Sequence, residues 1–197
     1  VLVDCGGSDE SWSAKYHTRI VRPPEETPES ALSAHGVACD ELETLVLTHL
    51  HWDHCFNTRL FPKAKIYVQE KEVSYAMDPL PPDQKFYEAA ALGFTPPWAG
   101  DAGRMVRVNG DRNLALGIDL VFLPGHSPGF RGVVVNARGG KYLIEGDCLG
   151  LLENGPGNGR HREAVPSGLY SSMADYYASF EKIAKISDHI LPGHDPE

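Results

Sequence analysis

Apolar residues fall in short runs separated by polar, glycine-rich or proline-rich stretches, and the character of the runs changes along the chain. Val1-Leu2-Val3-Asp4 reads as a buried strand. Residues 44–48 (T-L-V-L-T) and 65–69 (K-I-Y-V-Q), the latter after the break at Pro62, carry the β-branched and aromatic residues that suit a pleated surface. Short helices are expected between such strands. The clearest starts at Thr27-Pro28-Glu29, with Thr27 as cap, Pro28 at the first helical position and Gly36 as the stop. From Met105 onward the strands crowd together at 106–108, 120–123, 132–135 and 142–144, separated by turns that contain glycine or asparagine. Met173, Tyr176, Tyr177, Phe180, Ile183 and Ala184 then recur at helical spacing before a last strand at 189–191. The pattern predicts an α/β protein with mixed sheets and helices covering their outer faces. No internal repeat and no long flexible linker divides it, so a single domain over 1–197 is expected.

Two segments depart from this alternation. Within the 74–104 stretch, Pro79, Pro81, Pro82, Pro96 and Pro97 lie among Phe86, Tyr87, Leu92, Phe94 and Trp98. It reads as a helical excursion bounded by proline-rich turns, a lid or a subunit contact. Residues 153–163 (E-N-G-P-G-N-G-R-H-R-E) read as an irregular loop. Their glycines do not have the spacing of a phosphate-binding turn.

Composition narrows the function classes. The chain has 197 residues, 42% of them hydrophobic, which suffices for a packed core. Its 27 acidic against 18 basic residues give a net charge of −9, which disfavours a general binder of nucleic-acid phosphates. No apolar run approaches the roughly 20 residues that span a bilayer. Cys5, Cys39, Cys55 and Cys148 have no C-x-x-C spacing and read as free thiols of a reducing, cytoplasmic compartment. The first residues already form a strand, so the natural protein is expected to begin earlier, with any targeting segment upstream.

The chemistry concentrates in Thr48-His49-Leu50-His51-Trp52-Asp53-His54. From this composition an H-x-H-x-D-H string should arise by chance roughly once in a thousand such chains, so coincidence is a weak explanation. In an extended segment residues two apart point the same way, so His49 and His51 can share one ion, while Asp53 and His54 after a bend address a second. Imidazole with carboxylate suits zinc, with iron or manganese as substitutes, and not calcium.

The remaining ligands come from a repeated local design. The strand at 120–123 runs into Pro124-Gly125-His126, that at 142–144 into Glu145-Gly146-Asp147, and the last one into Pro192-Gly193-His194. Each apolar strand delivers a histidine or aspartate just past its carboxyl end, where open α/β sheets commonly place ligand sites. The glycines let the backbone turn tightly there.

With these residues in place, the sequence resembles the metallo-β-lactamase superfamily of hydrolases, from the strand ending in Asp4, through H-x-H-x-D-H, to P-G-H-D near the end. The resemblance implies a four-layer αββα sandwich. It implies that His49, His51 and His126 hold one metal and Asp53, His54 and His194 the other, with Asp147 bridging the two and Asp4 steadying the histidine loop. Asp53 and Asp147 are the carboxylates it implicates in catalysis. His54 and Asp147 set the chain apart from common β-lactamases, and His51 from the redox di-iron relatives.

T-H-L-H-W-D-H-C, P-G-H-S-P-G and Y-x-x-S-F-E-K-I are similar to the N-acyl homoserine lactone lactonase group. The similarity implies opening of a small-molecule lactone or ester by a metal-bridging hydroxide, a quorum-quenching type of activity. A homodimer is a candidate assembly, and from the charge and the short apolar runs neither nucleic acid nor membrane is expected as partner. Those lactonases often carry a tyrosine shortly after the bridging aspartate, and Cys148-Leu149-Gly150-Leu151-Leu152 has none. Tyr170 is a candidate replacement, and Arg160, His161 and Arg162 are candidates to meet an anionic substrate group. A thioesterase of the hydroxyacylglutathione hydrolase type and a non-catalytic metal-binding domain are the alternatives.

Overall fold

The computed structural model describes residues 1–156 and 163–195. The chain forms two compact units, Val1–Val68 with Val73–Arg107, and Gln69–Glu72 with Val108–Glu197.

The first unit is built on a sheet in the order β1 (Leu2–Val3), β2 (Thr44–Val46), β3 (Lys65–Gln69) and β4 (Met105–Val108). β1, β2 and β3 are parallel, with Leu2 opposite Leu45 and Leu45 opposite Ile66. Leu45, Val46, Leu47, Ile66 and Val68 are all buried, as expected of parallel strands covered on both faces, whose sequences are continuously apolar. Leu45, Leu47, Ile66 and Val68 pack with Leu50, Phe61, Tyr87 and Trp98 into one core. The short helices of this unit have side-chain caps. Asp9 accepts from the Trp12 amide at the start of α1 (Glu10–Tyr16), and Thr27 accepts from the Ser30 amide at the start of α2 (Pro28–Ala34), where Pro28 holds the first position as the sequence predicts. A single turn, α3 (Trp52–Cys55), follows the second strand, and α4 (Glu70–Met77) follows the third.

The second unit is a five-stranded sheet, ordered β5 (Arg112–Ala115), β6 (Ile118–Phe122), β7 (Arg131–Ala137), β8 (Gly140–Ile144) and β9 (His189–Leu191). β5 to β8 form an antiparallel meander, and β9 runs parallel to β8 with Tyr142 opposite His189. A parallel pairing needs a crossover. α5 (Met173–Ile186) lies on that crossover, capped by Ser172, and buries Tyr176 and Ile183 against Val121, Leu123, Phe130, Val134 and Leu143.

The α/β class is as the sequence indicates. Of the 74–104 stretch, expected to be a helical excursion, residues 74–77 complete α4. The remainder consists of turns and 3-10 segments at Ala90–Leu92 and Ala99–Arg104, because its prolines withhold amide donors and keep the residues before them extended. α1, α4 and β5 were not anticipated, since E-S-W-S-A-K-Y, E-K-E-V-S-Y-A-M and the largely exposed R-N-L-A carry little apolar periodicity.

Candidate metal centre

In the first unit the chain leaves β2 at Val46 and places His49 and His51 in the extended segment beyond it, while Asp53 and His54 ride on α3. His51 has an extended backbone and Trp52 begins the helical turn, so the bend demanded by the H-x-H-x-D-H spacing falls between them. All three imidazoles are buried, with ring centroids 4.3 Å apart for His49 and His51 and 4.2 Å for His49 and His54. Asp53 Oδ2 lies 3.8 Å from His54 Nε2.

Asp4, at the end of β1, organises this cluster. Its Oδ1 accepts the Thr48 amide at 2.7 Å, and its Oδ2 accepts both the Thr48 hydroxyl at 2.7 Å and His54 Nδ1–H at 2.8 Å. Because the single hydroxyl proton of Thr48 is directed to Asp4, His49 Nδ1, 3.0 Å from the same oxygen, is the donor there. One carboxylate therefore fixes two imidazoles, His54 directly and His49 through Thr48. Asp4 itself has a left-handed φ of 55°, uncommon outside glycine.

In the second unit three strand ends supply His126, Asp147 and His194. Asp147 is flanked by imidazoles, with Oδ2 at 3.3 Å from His126 Nε2 and Oδ1 at 3.0 Å from His194 Nε2. His126 Nδ1 donates to the Leu169 carbonyl at 2.9 Å and lies 3.3 Å from the Ser167 hydroxyl. From α5 the Tyr176 hydroxyl donates to the Asp147 carbonyl at 2.7 Å, and burial pushes that phenol's pKa up, so it remains a donor. Two backbone approaches need glycine. Gly125 has φ 144°, and an added Cβ would come within 2.5 Å of the Tyr176 Cα; at Gly193 a Cβ would come within 2.7 Å of the Gly146 carbonyl oxygen, which accepts the Gly193 amide at 2.9 Å. That last bond ties the loop of His194 to the loop of Asp147. Beside them, burial chiefly, with the charge of Asp147 adding to it and the Leu149 amide opposing, pushes the Glu145 carboxyl up to about 9.

These residues fit divalent ions. In His49, His54 and His126 the Nδ1 atom is committed to a protein oxygen, which leaves Nε2 with the lone pair a metal requires. Ligand atoms on a tetrahedral zinc at about 2.0–2.1 Å stand roughly 3.3 Å from each other, the separation found between His126 Nε2 and Asp147 Oδ2.

Of the residues read from the sequence, His49, His51, Asp53 and His54 come together in the first unit with Asp4 against them, and His126, Asp147 and His194 in the second. Tyr170 is 48% exposed and follows Leu169, whose carbonyl holds His126. Arg160, His161 and Arg162 lie outside the described residues. The sequence reading missed Thr48, Ser167 and Tyr176. Thr48 carried a signal, a hydroxyl between an apolar strand and the first histidine; Tyr176 was read only as part of an apolar helical stripe.

Comparison with known proteins identifies the family. A family model for the metallo-beta-lactamase superfamily matches residues 1–194. The N-acyl homoserine lactonase AttM of Azorhizobium caulinodans is 26% identical over 189 residues, covering 84% of this chain and 63% of the relative; AiiB of Agrobacterium fabrum, also an N-acyl homoserine lactonase, is 26% identical over 210 residues, covering 98% and 72%. The chain thus spans less than two thirds of the AttM length. Among solved structures, AidC, described as a dizinc quorum-quenching lactonase in complex with a product, superposes with a TM-score of 0.69 at 17% identity, covering 98% of this chain and 68% of that one. By the match along nearly its whole length and by the strand ends that carry its histidines and aspartates, the chain belongs to the metallo-beta-lactamase superfamily and has its fold.

Proposed function

We propose that the two donor sets serve one dinuclear centre, with His49, His51 and His126 on one ion, Asp53, His54 and His194 on the other and Asp147 on both, and that this centre opens lactones or closely related carboxylic esters. Zinc is the proposed metal. The observation that carries the reading is Asp147, which turns one carboxylate oxygen toward His126 and the other toward His194, the arrangement of a carboxylate shared by two ions. The lactonase relatives support the substrate class, and AidC's dizinc description supports the ion count.

When bound, two divalent ions supply charge that acidifies a water molecule and polarises a carbonyl. The protein's own residues perform the rest. Asp4 and Thr48 fix the tautomers of His54 and His49 and so present their Nε2 atoms inward. Tyr176, through the Asp147 carbonyl, and the Gly193–Gly146 bond hold the strand-end loops of Asp147 and His194. Asp147 is the carboxylate placed to carry a proton from the attacking water to the departing alkoxide oxygen, because an ionised carboxylate accepts and returns protons without moving its backbone. Burial of His49, His51 and His126 excludes bulk water from their ring nitrogens, which strengthens their interaction with charge.

The test is proton release by the zinc-loaded protein on matched lactones, aryl esters and thioesters. The expected result is a lactone kcat/KM at least about tenfold above that of the thioesters, about 1.4 kcal/mol of preferential transition-state binding. Preference for the thioesters, or turnover of none of the panel, would overturn the reading.

A further inference from the structure

The 83–88 turn, in the proline-rich stretch of the first unit, touches the histidine loop at three points. The Phe86 carbonyl accepts the Trp52 amide at 2.8 Å, the Tyr87 ring meets His51 edge-on at 4.7 Å, and the partly exposed Phe86 ring lies 5.6 Å from His51. Within the turn the Asp83 carbonyl accepts the Phe86 and Tyr87 amides at 2.9 and 3.3 Å, and Tyr87 is buried in the core. Glu88 is the residue that ties this turn to α1 and its C-terminal end. Its side chain is 1% exposed, it has a left-handed φ of 46° without being glycine, and its Oε1 accepts the Trp12 indole N–H at 2.6 Å and lies 2.8 Å from His17 Nε2. His17 is stacked on Trp52, with centroids 4.0 Å apart and planes at 9°. Trp12 also packs against Phe56, just past the histidine helix, and Phe94. A strained, buried, doubly engaged carboxylate persists only where its surroundings over-determine it, and such positions concentrate at functional sites.

We propose that Glu88 is a positioning residue: through Trp12 and His17 it holds the 83–88 turn so that Phe86 presents an apolar wall beside His51 to the acyl or ring portion of a lactone or ester. The inference rests on the reading of His51 as a ligand of a hydrolytic centre. Phe86 contacts substrate; Glu88 acts through it. Neither residue coordinates an ion, so their loss should leave metal content intact and be felt in substrate binding.

The experiment compares Glu88→Ala, Glu88→Gln and Phe86→Ala with the zinc-loaded parent, reading bound zinc, hydrogen exchange over residues 83–89, and KM and kcat on lactones with a short and a long acyl chain. Glu88→Ala should keep its zinc, lose protection over 83–89, and raise KM for the long-chain lactone by about tenfold or more while kcat falls much less. Glu88→Gln, which keeps the shape and one acceptor oxygen for Trp12, should recover most of both effects, and Phe86→Ala should reproduce the KM change without the exchange change. Unchanged exchange in Glu88→Ala, or equal effects on short and long chains, would overturn the proposal. If the loaded parent hydrolyses no lactone or ester, the functional reading fails and Phe86 as a substrate wall falls with it, while the exchange data alone still decide whether Glu88 holds the turn.

Discussion

Asp4 shows how much a single carboxylate can decide. It spends both oxygens on the loop that carries the histidines, and it sets the tautomer of His54 by contact and of His49 through Thr48. Partners of this kind are typically worth 10–100-fold in metal affinity. Asp4→Ala is therefore expected to weaken zinc binding by roughly 10–100-fold, measured by competition with a chromophoric chelator. Thr48→Val removes the relay to His49 alone and should lose about fivefold, the worth of one ordinary hydrogen bond, with Thr48→Ser near the parent. Equal affinity in Asp4→Ala and the parent would contradict the relay. Asp147→Asn is expected to bind fewer than two zinc ions per chain and to lose turnover by about a hundredfold or more. Full zinc content with full turnover would remove Asp147 from proton transfer.

At the scale of the element, the recurring device is a strand that ends and a tight turn that delivers a histidine or aspartate. Gly125 shows the constraint most sharply, since its φ of 144° and the Tyr176 backbone leave no room for a Cβ. Gly125→Ala is expected to destabilise the fold by about 2 kcal/mol or more, a fall in Tm of about 4–8 °C in a thermal melt. An unchanged Tm would show that α5 yields at that contact. This device was legible in the sequence, because P-G-H, E-G-D and P-G-H each follow an apolar run. So were the parallel strands of the first unit, whose apolar residues are uninterrupted. What stayed hidden is what the linear pattern does not encode. α1 carries few apolar residues and is held by its cap and by Trp12 and Tyr16 against Phe94. The prolines near Phe86 signalled irregularity but not the turn's partner, because Glu88 and His17 are 71 residues apart.

For the whole molecule, the H-x-H-x-D-H string with three later strand ends identified the superfamily, since these histidines and aspartates are local in sequence or repeat a local context. The residues that hydrogen-bond these side chains or their loops, Thr48, Ser167 and Tyr176, were not recognised because hydroxyls serve many purposes and only the folded contacts distinguish them. No helix among the described residues is long and apolar enough to cross a membrane, and none of the four cysteines is in a disulfide. Stability should therefore respond to metal, because ligand binding to the native state adds free energy, about 2.7 kcal/mol at free zinc a hundredfold above Kd. Chelation is expected to lower the Tm and zinc to restore it in a melt of the same sample. A Tm indifferent to both would mean that the donor sets do not bind zinc in the native chain.

The most direct test of the central claim is anomalous diffraction from crystals of the zinc-loaded protein. Two peaks roughly 3.5–4 Å apart are expected, one touched by His49, His51 and His126, the other by Asp53, His54 and His194, with Asp147 reaching both. A single peak, or zinc bound away from these side chains, would contradict the account.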